Sequence, residues 1–171
     1  THNKNALYYV KASSKCAEQL SGKNVITTIG DNYHCDNLYL YDGEYDFNTT
    51  NSLIGNKAYF DRTFTKDKWY TVCLPFAVSS EQVSILKESG VTIAVISQYE
   101  APDILFSEVN EMTANTPYLV KCDSDMQPFN ELSITEISAS NTANEIVKEN
   151  ITMKGCYETT YLYPDEDATF Y

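Results

Sequence analysis

Trp69-Tyr70-Thr71-Val72-Cys73-Leu74-Pro75-Phe76 is the stretch on which the fold turns. Side chains of a strand alternate between its two faces, so Tyr70, Val72, Leu74 and Phe76 share one face and Trp69, Thr71, Cys73 and Pro75 the other. The first set is apolar and belongs in a core. Burying Val72, Leu74 and Phe76 contributes roughly 1.5–3 kcal/mol each, comparable with a whole domain's stability of about 5–15 kcal/mol. Proline cannot donate to a ladder, so the strand must end, bulge or lie at an edge at Pro75.

Working outward, Ala58-Tyr59-Phe60-Asp61-Arg62-Thr63-Phe64 alternates in the same way, and Lys66-Asp67-Lys68 makes a charged turn into the central strand. Before it, short apolar runs at 6–10, 25–29 and 38–41 are bounded by Ser21-Gly22, Gly30-Asp31-Asn32 and Asp42-Gly43, as expected of strands and turns. In Leu38-Tyr39-Leu40-Tyr41 the leucines face a core and the tyrosines the other side, where Tyr45 and Phe47 extend them. Residues 48–56 are rich in Asn and Thr and read as a loop or linker. The expected organisation is therefore an N-terminal β segment, 1–56, packing on or leading into a main domain, 57–171.

Downstream, Ser79 and Gln82 form a capping box and Gly90 a stop, which predicts one short helix over 80–89 with Val83 and Leu86 inward. Strands follow at 91–99 and 104–109, joined by Ala101-Pro102-Asp103, and then at 116–122, 131–138 and 151–163. About ten strands at regular intervals with one helix predict a mainly β chain. The economical architecture is an antiparallel β-sandwich, two packed sheets and jelly-roll-like, with one short connecting helix.

Composition narrows the function. The chain of 171 residues carries a formal net charge of −12. Residues 1–57 hold five Lys against six acids, so the excess lies almost wholly in 58–171. Phosphate backbones are bound by Lys and Arg, so nucleic acid is not an expected partner. No apolar run reaches the 18 or more residues of a spanning helix, so no membrane-spanning segment is expected. An opening without Met suggests a processed or excised chain, and Ala168-Thr169-Phe170-Tyr171 reads as the start of a strand.

Cys16, Cys35, Cys73, Cys122 and Cys156 are odd in number and show no close pairs, which argues against zinc. Cys16–Cys35 and Cys122–Cys156 are the bridges to test first, against mostly free thiols as the favoured reading.

The segments Tyr59-Phe60-Asp61-Arg62-Thr63-Phe64, 69–76 and Thr113-Ala114-Asn115-Thr116-Pro117-Tyr118-Leu119-Val120-Lys121, with Asn5-Ala6-Leu7-Tyr8-Tyr9 and the 38–42 strand, resemble C-terminal β-rich domains of large secreted and cell-surface proteins of gut Bacteroides-like bacteria. The resemblance implies a place outside the cytoplasm. It also implies membership of a multi-part protein, often with leucine-rich or other repeats upstream, whose neighbouring repeats or domains are the expected partners. It transfers no catalytic residue. Such domains usually continue with further strands, which implies that 57–171 lacks its C-terminal edge.

Chemistry-bearing motifs are sparse. His2 and His34 are the only histidines, and no HExxH, GxSxG, Walker or GxGxxG pattern occurs. Paired carboxylates are the remaining enzymatic route, but nothing promotes one pair among 24 acids. The acidic loops 42–46, 123–125 and 165–167 lack the twelve-residue calcium pattern and read as solvated turns. No enzyme, cofactor or metal site is expected. Tyr39, Tyr41, Tyr45 and Trp69 are the candidate ligand-binding residues, because flat apolar rings with polar rims suit sugars; cross-strand packing is the favoured account of the same rings. The expected function is a structural or adhesion domain contacting a host or surface protein, with carbohydrate binding as the alternative.

Overall fold

The computed structural model describes residues 3–11, 19–42, 47–139, 144–155 and 157. It is a β-sandwich with one short helix. The first sheet contains β1 (Leu7–Val10), β2 (Asn24–Ile29), β3 (Asn32–Tyr41) and β4 (Leu53–Asp61) in that order. The far edge of β4 is lined by β9 (Asn130–Ser133) and β10 (Glu136–Ile137). Between those two, Ile134 N–H donates to Asn56 O and Gly55 N–H to Thr135 O, so the antiparallel ladder runs on along β4, with one register shift between Ala58 and Tyr59.

The second sheet has the order β5-β8-β6-β7, with β5 (Trp69–Cys73), β6 (Val91–Glu100), β7 (Asp103–Glu108) and β8 (Pro117–Cys122), all antiparallel. A hairpin of β11 (Glu145–Lys148) and β12 (Ile151–Lys154) completes the described strands. The sequence reading missed β11, whose Glu145-Ile146-Val147-Lys148 is too short and too flanked by polar residues to stand out.

The central strand behaves as its alternation requires. Val72, Leu74 and Phe76 are buried, Trp69 and Thr71 exposed; Cys73 is half-buried, and Pro75, beyond the strand, is buried as well. The ladder stops at Cys73, short of Pro75. From there the chain is held by its carbonyls, Leu74 O accepting from Asn115 N–H at 2.7 Å and Pro75 O from Ser138 N–H at 2.6 Å. Helix α1 (Ser80–Glu88) follows, with Ser79 as N-cap, the reciprocal Ser79–Gln82 capping box in place, and Val83 and Leu86 buried.

Two features depart from the expectation. The first sheet is mixed, because β1 pairs β2 and β3 pairs β4 in parallel. Residues 53–56, read as loop, begin β4: Leu53 and Gly55 face inward, while the exposed Ile54 between them and the polar residues around them hide the alternation. Gly55 is close-packed there, since a Cβ would lie 2.8 Å from Ile134 Cδ1. β4 thus runs through positions 56 and 57. One buried cluster takes Ile26, Leu38 and Leu53 from the first sheet with Val72, Leu74, Phe76, Ile93 and Val120 from the second side of the sandwich.

Arg62 ties the end of β4 to β5, the edge strand of the second sheet. Its Nη1 donates to Thr71 O at 2.9 Å, its Nε lies 3.5 Å from Asp42 Oδ2, and its guanidinium sits over the Phe64 and Tyr70 rings at 5.3 and 5.2 Å. Cys35 and Cys122 are free thiols among the described residues; Cys16 and Cys156, and with them the two bridges proposed for testing, lie outside the described residues. Burial, with Asp36 alongside, pushes the Cys35 thiol up to about 12.

Candidate functional site

The outward face of the first sheet is where the tyrosines of β3 stand. Leu38 and Leu40 are buried and Tyr39 and Tyr41 half-buried on the opposite side. The parallel register sets Tyr39 beside Tyr59 of β4, and the two rings stack at 4.9 Å with planes 12° apart. Burial, then the neighbouring Tyr59 hydroxyl, raises the Tyr39 phenol. The favoured packing account therefore describes one face of this ring.

The backbone of these tyrosines is held in an unusual way. From the first residue of β2, Asn24 Oδ1 accepts from Tyr39 N–H at 2.6 Å and Asn24 Nδ2 donates to Tyr39 O at 3.0 Å. Two residues on, Asn5 Oδ1 accepts from Tyr41 N–H at 2.9 Å and Asn5 Nδ2 donates to Tyr41 O at 3.3 Å. A side-chain amide offers the same donor and acceptor as a peptide group, so the two asparagines extend the ladder as a strand would. Both are buried.

The other side of Tyr39 borders a depression of about 270 Å³, whose walls include Ser21, Lys23, Val25, Asp36 and Asn37. Tyr59 is not part of that wall, so the depression lies on the side of Tyr39 that the stack leaves free. Its volume is near the lower end of small-molecule sites, roughly 300–1,000 Å³, and its rim mixes an ammonium, a carboxylate, an amide and a hydroxyl.

The four candidate residues do not form one face. Tyr39 and Tyr41 are neighbours on β3, with Lys4 Nζ 5.3 Å from the Tyr41 ring centre. Trp69, 51% exposed, opens β5 on the other sheet. Tyr45 lies outside the described residues. Tyr59 was missed as a partner, because only the parallel pairing of β3 with β4 brings the two tyrosines together.

A second aromatic group stands at the hairpin end of the first sheet. Tyr9 and Tyr33 meet edge to face at 6.0 Å, and Tyr9 borders an open depression of about 390 Å³ with Lys11, Ile26 and Thr28, while Ile29 is exposed on the opposite face of the sheet.

His34 and Cys35 are in β3, not in a loop, and adjacent strand residues point to opposite faces. They do not form a pair. Of the acidic loops, Asp42 is engaged by Arg62 and Asp125 Oδ1 accepts from Lys66 N–H at 2.7 Å, while 165–167 lies outside the described residues. No group of three or more His, Cys, Asp or Glu able to hold a metal occurs among the described residues. No described helix is long and apolar enough to cross a membrane. No protein-family model, no curated protein and no solved structure matches the chain.

Proposed function

We propose that this chain is a non-catalytic, extracellular domain of a bacterial surface protein whose role is structure and adhesion, by contact with neighbouring domains of its parent protein and with host or surface macromolecules. The observation that carries this reading is the exposed aromatic pair at the hairpin end of the first sheet, Tyr9 and Tyr33. Rings exposed together beside an open depression suit macromolecular contact better than enclosure of a small substrate. The segments behind the resemblance to secreted Bacteroides-like domains fit this division of labour. Asn5, Arg62, Leu74 and Asn115 hold the sandwich together and leave its outer surfaces for binding. The test is retention of domain-coated beads on immobilised mucin and fibronectin. Retention that drops at least tenfold in the double variant Tyr9→Ser, Tyr33→Ser supports the role; retention equal to uncoated beads on both surfaces refutes it.

The depression beside Tyr39 favours a second reading, carbohydrate binding by one sugar stacked on the free face of that ring. Calorimetric titration with a panel of mono- and oligosaccharides should show binding that survives Tyr39→Phe and is lost in Tyr39→Ala. Absence of heat with every glycan, or binding unaffected by Tyr39→Ala, removes it.

A further inference from the structure

We propose that β7 is an acceptor edge for an added strand, and that the strand it takes is an extended segment with apolar residues at its centre and Lys or Arg at both ends. The inference rests on the interaction role proposed above and names a partner class for it. Among the described residues β7 pairs on one side only, with β6. Ser97 Oγ donates to Leu105 O at 3.1 Å, and Val109 N–H donates to Ile93 O at 3.1 Å, so the odd-numbered residues turn their backbone groups toward β6. By alternation the N–H and C=O groups of Ile104, Phe106 and Glu108 point away from it. These are the groups an added strand pairs with.

Between its acidic ends the edge is also unguarded. Exposed edges are usually blunted by Pro, Lys or a bulge. β7 reads Asp103-Ile104-Leu105-Phe106-Ser107-Glu108, without Pro or Lys, and the bulge of the hairpin lies opposite, in β6 between Ile96 and Gln98. Leu105 and Phe106 are 40% and 43% exposed and stand on opposite faces, offering an apolar contact on either side of an incoming strand.

Charge selects the occupant. Residues 91–111 contain Glu100, Asp103, Glu108 and Glu111 and no Lys, Arg or His. Two of these acids stand at each end of β7, so a strand with a cation at each end is matched whichever way it runs. Lys87 of α1, 3.3 Å from Glu108, is a cation that reaches this edge from elsewhere. A second copy of the chain would bring another −12 to the same place, and like charge disfavours it.

The probe is an end-blocked peptide, Lys-Thr-Val-Thr-Val-Thr-Val-Thr-Lys, with a control carrying Glu at both ends, added to the whole chain. Residue-resolved amide exchange should slow at least tenfold at Ile104, Phe106 and Glu108, with Leu105 and Ser107 unchanged. The effect should weaken with added salt. Phe106→Pro removes an outward N–H without touching the β6 ladder and should abolish the protection. Ile104→Lys, which repels the basic peptide, serves the same purpose if the proline variant disturbs the hairpin. Unchanged exchange at the three amides refutes the edge, equal protection by the Glu-ended control refutes the charge argument, and a dimer that Phe106→Pro dissolves would replace the occupant with a second copy. An unprotected β7 in a domain still retained on mucin or fibronectin fails the edge alone; loss of both results also removes the interaction role.

Discussion

Replacing Asn115 with alanine strikes the junction where the central strand, the 113–121 segment and the C-terminal part of the described chain meet. Asn115 is 8% exposed and adopts φ of 60°. Its N–H donates to Leu74 O, its C=O accepts from Asn144 N–H at 2.7 Å, its Nδ2 donates to Ala139 O at 2.8 Å, and its Oδ1 accepts from Tyr157 Oη at 2.9 Å. Alanine keeps the two backbone bonds and loses both side-chain bonds, worth roughly 0.5–1.5 kcal/mol each. It also lacks the tolerance of Asn for the left-handed region, which costs other L-residues roughly 1–2 kcal/mol. The expected loss is about 2–5 kcal/mol in urea unfolding at pH 7. Near the melting temperature this is a fall of roughly 4–20 °C for a chain of this size. Asn115→Gly separates the two contributions, because it loses the same side-chain bonds without the backbone strain, and should sit about 1 kcal/mol above the alanine variant. An alanine variant within 0.5 kcal/mol of the parent would refute the junction, and equal losses for Ala and Gly would refute the strain argument.

Leu74→Ala should cost roughly 2–5 kcal/mol in the same assay, since the side chain is 2% exposed at the centre of the cluster; a loss below about 0.5 kcal/mol would misplace the core. Ser79→Ala removes the acceptor for Gln82 N–H and should cost about 1 kcal/mol, with helix α1 frayed at its first turn by amide exchange. Alkylation of Cys35 by iodoacetamide at pH 8.5, followed by peptide mass mapping, should track global unfolding; native-state labelling as fast as that of a model thiol would contradict its burial. The same thiol sets an alkaline limit. The unfolded chain releases this proton near the ordinary value of 9.0 while the folded chain holds it to about 12, so its contribution is complete below pH 9 and lost as pH rises toward 12. Replacing Cys35 with Ala should flatten the fall in urea midpoint over that window.

What could be read from the sequence was whatever local pattern settles. The alternation of 69–76 with its proline stop and the Ser79–Gln82 box each encode their own element, and both appear at the expected places. Pairing between distant strands has no such local signal. The parallel partnership of β3 with β4, and with it the Tyr39–Tyr59 stack, depends on which edges meet after the chain has crossed over. Asparagine misled for a physical reason. It is a turn residue by propensity, so nothing in the sequence marked Asn5, Asn24 and Asn115 as core groups, whereas each is buried and binds backbone groups far along the chain. Among the candidate ligand-binding residues, the two on β3 were predictable as neighbours from their spacing, while the placement of Trp69 on the other sheet was not.

The asparagine pair on the edge of β3 acts as a two-toothed key. Each tooth engages both polar groups of one residue, and the teeth fit Tyr39 and Tyr41, positions whose backbone groups face the same edge. A slip of β3 by one residue would present each amide with a peptide turned the other way, so both teeth would disengage together. The mixed sheet is therefore indexed at a point where no β2 backbone remains to index it. An insertion of one residue between Leu38 and Tyr41 should be far more damaging than one in the Gly30-Asp31 turn that opens the same strand.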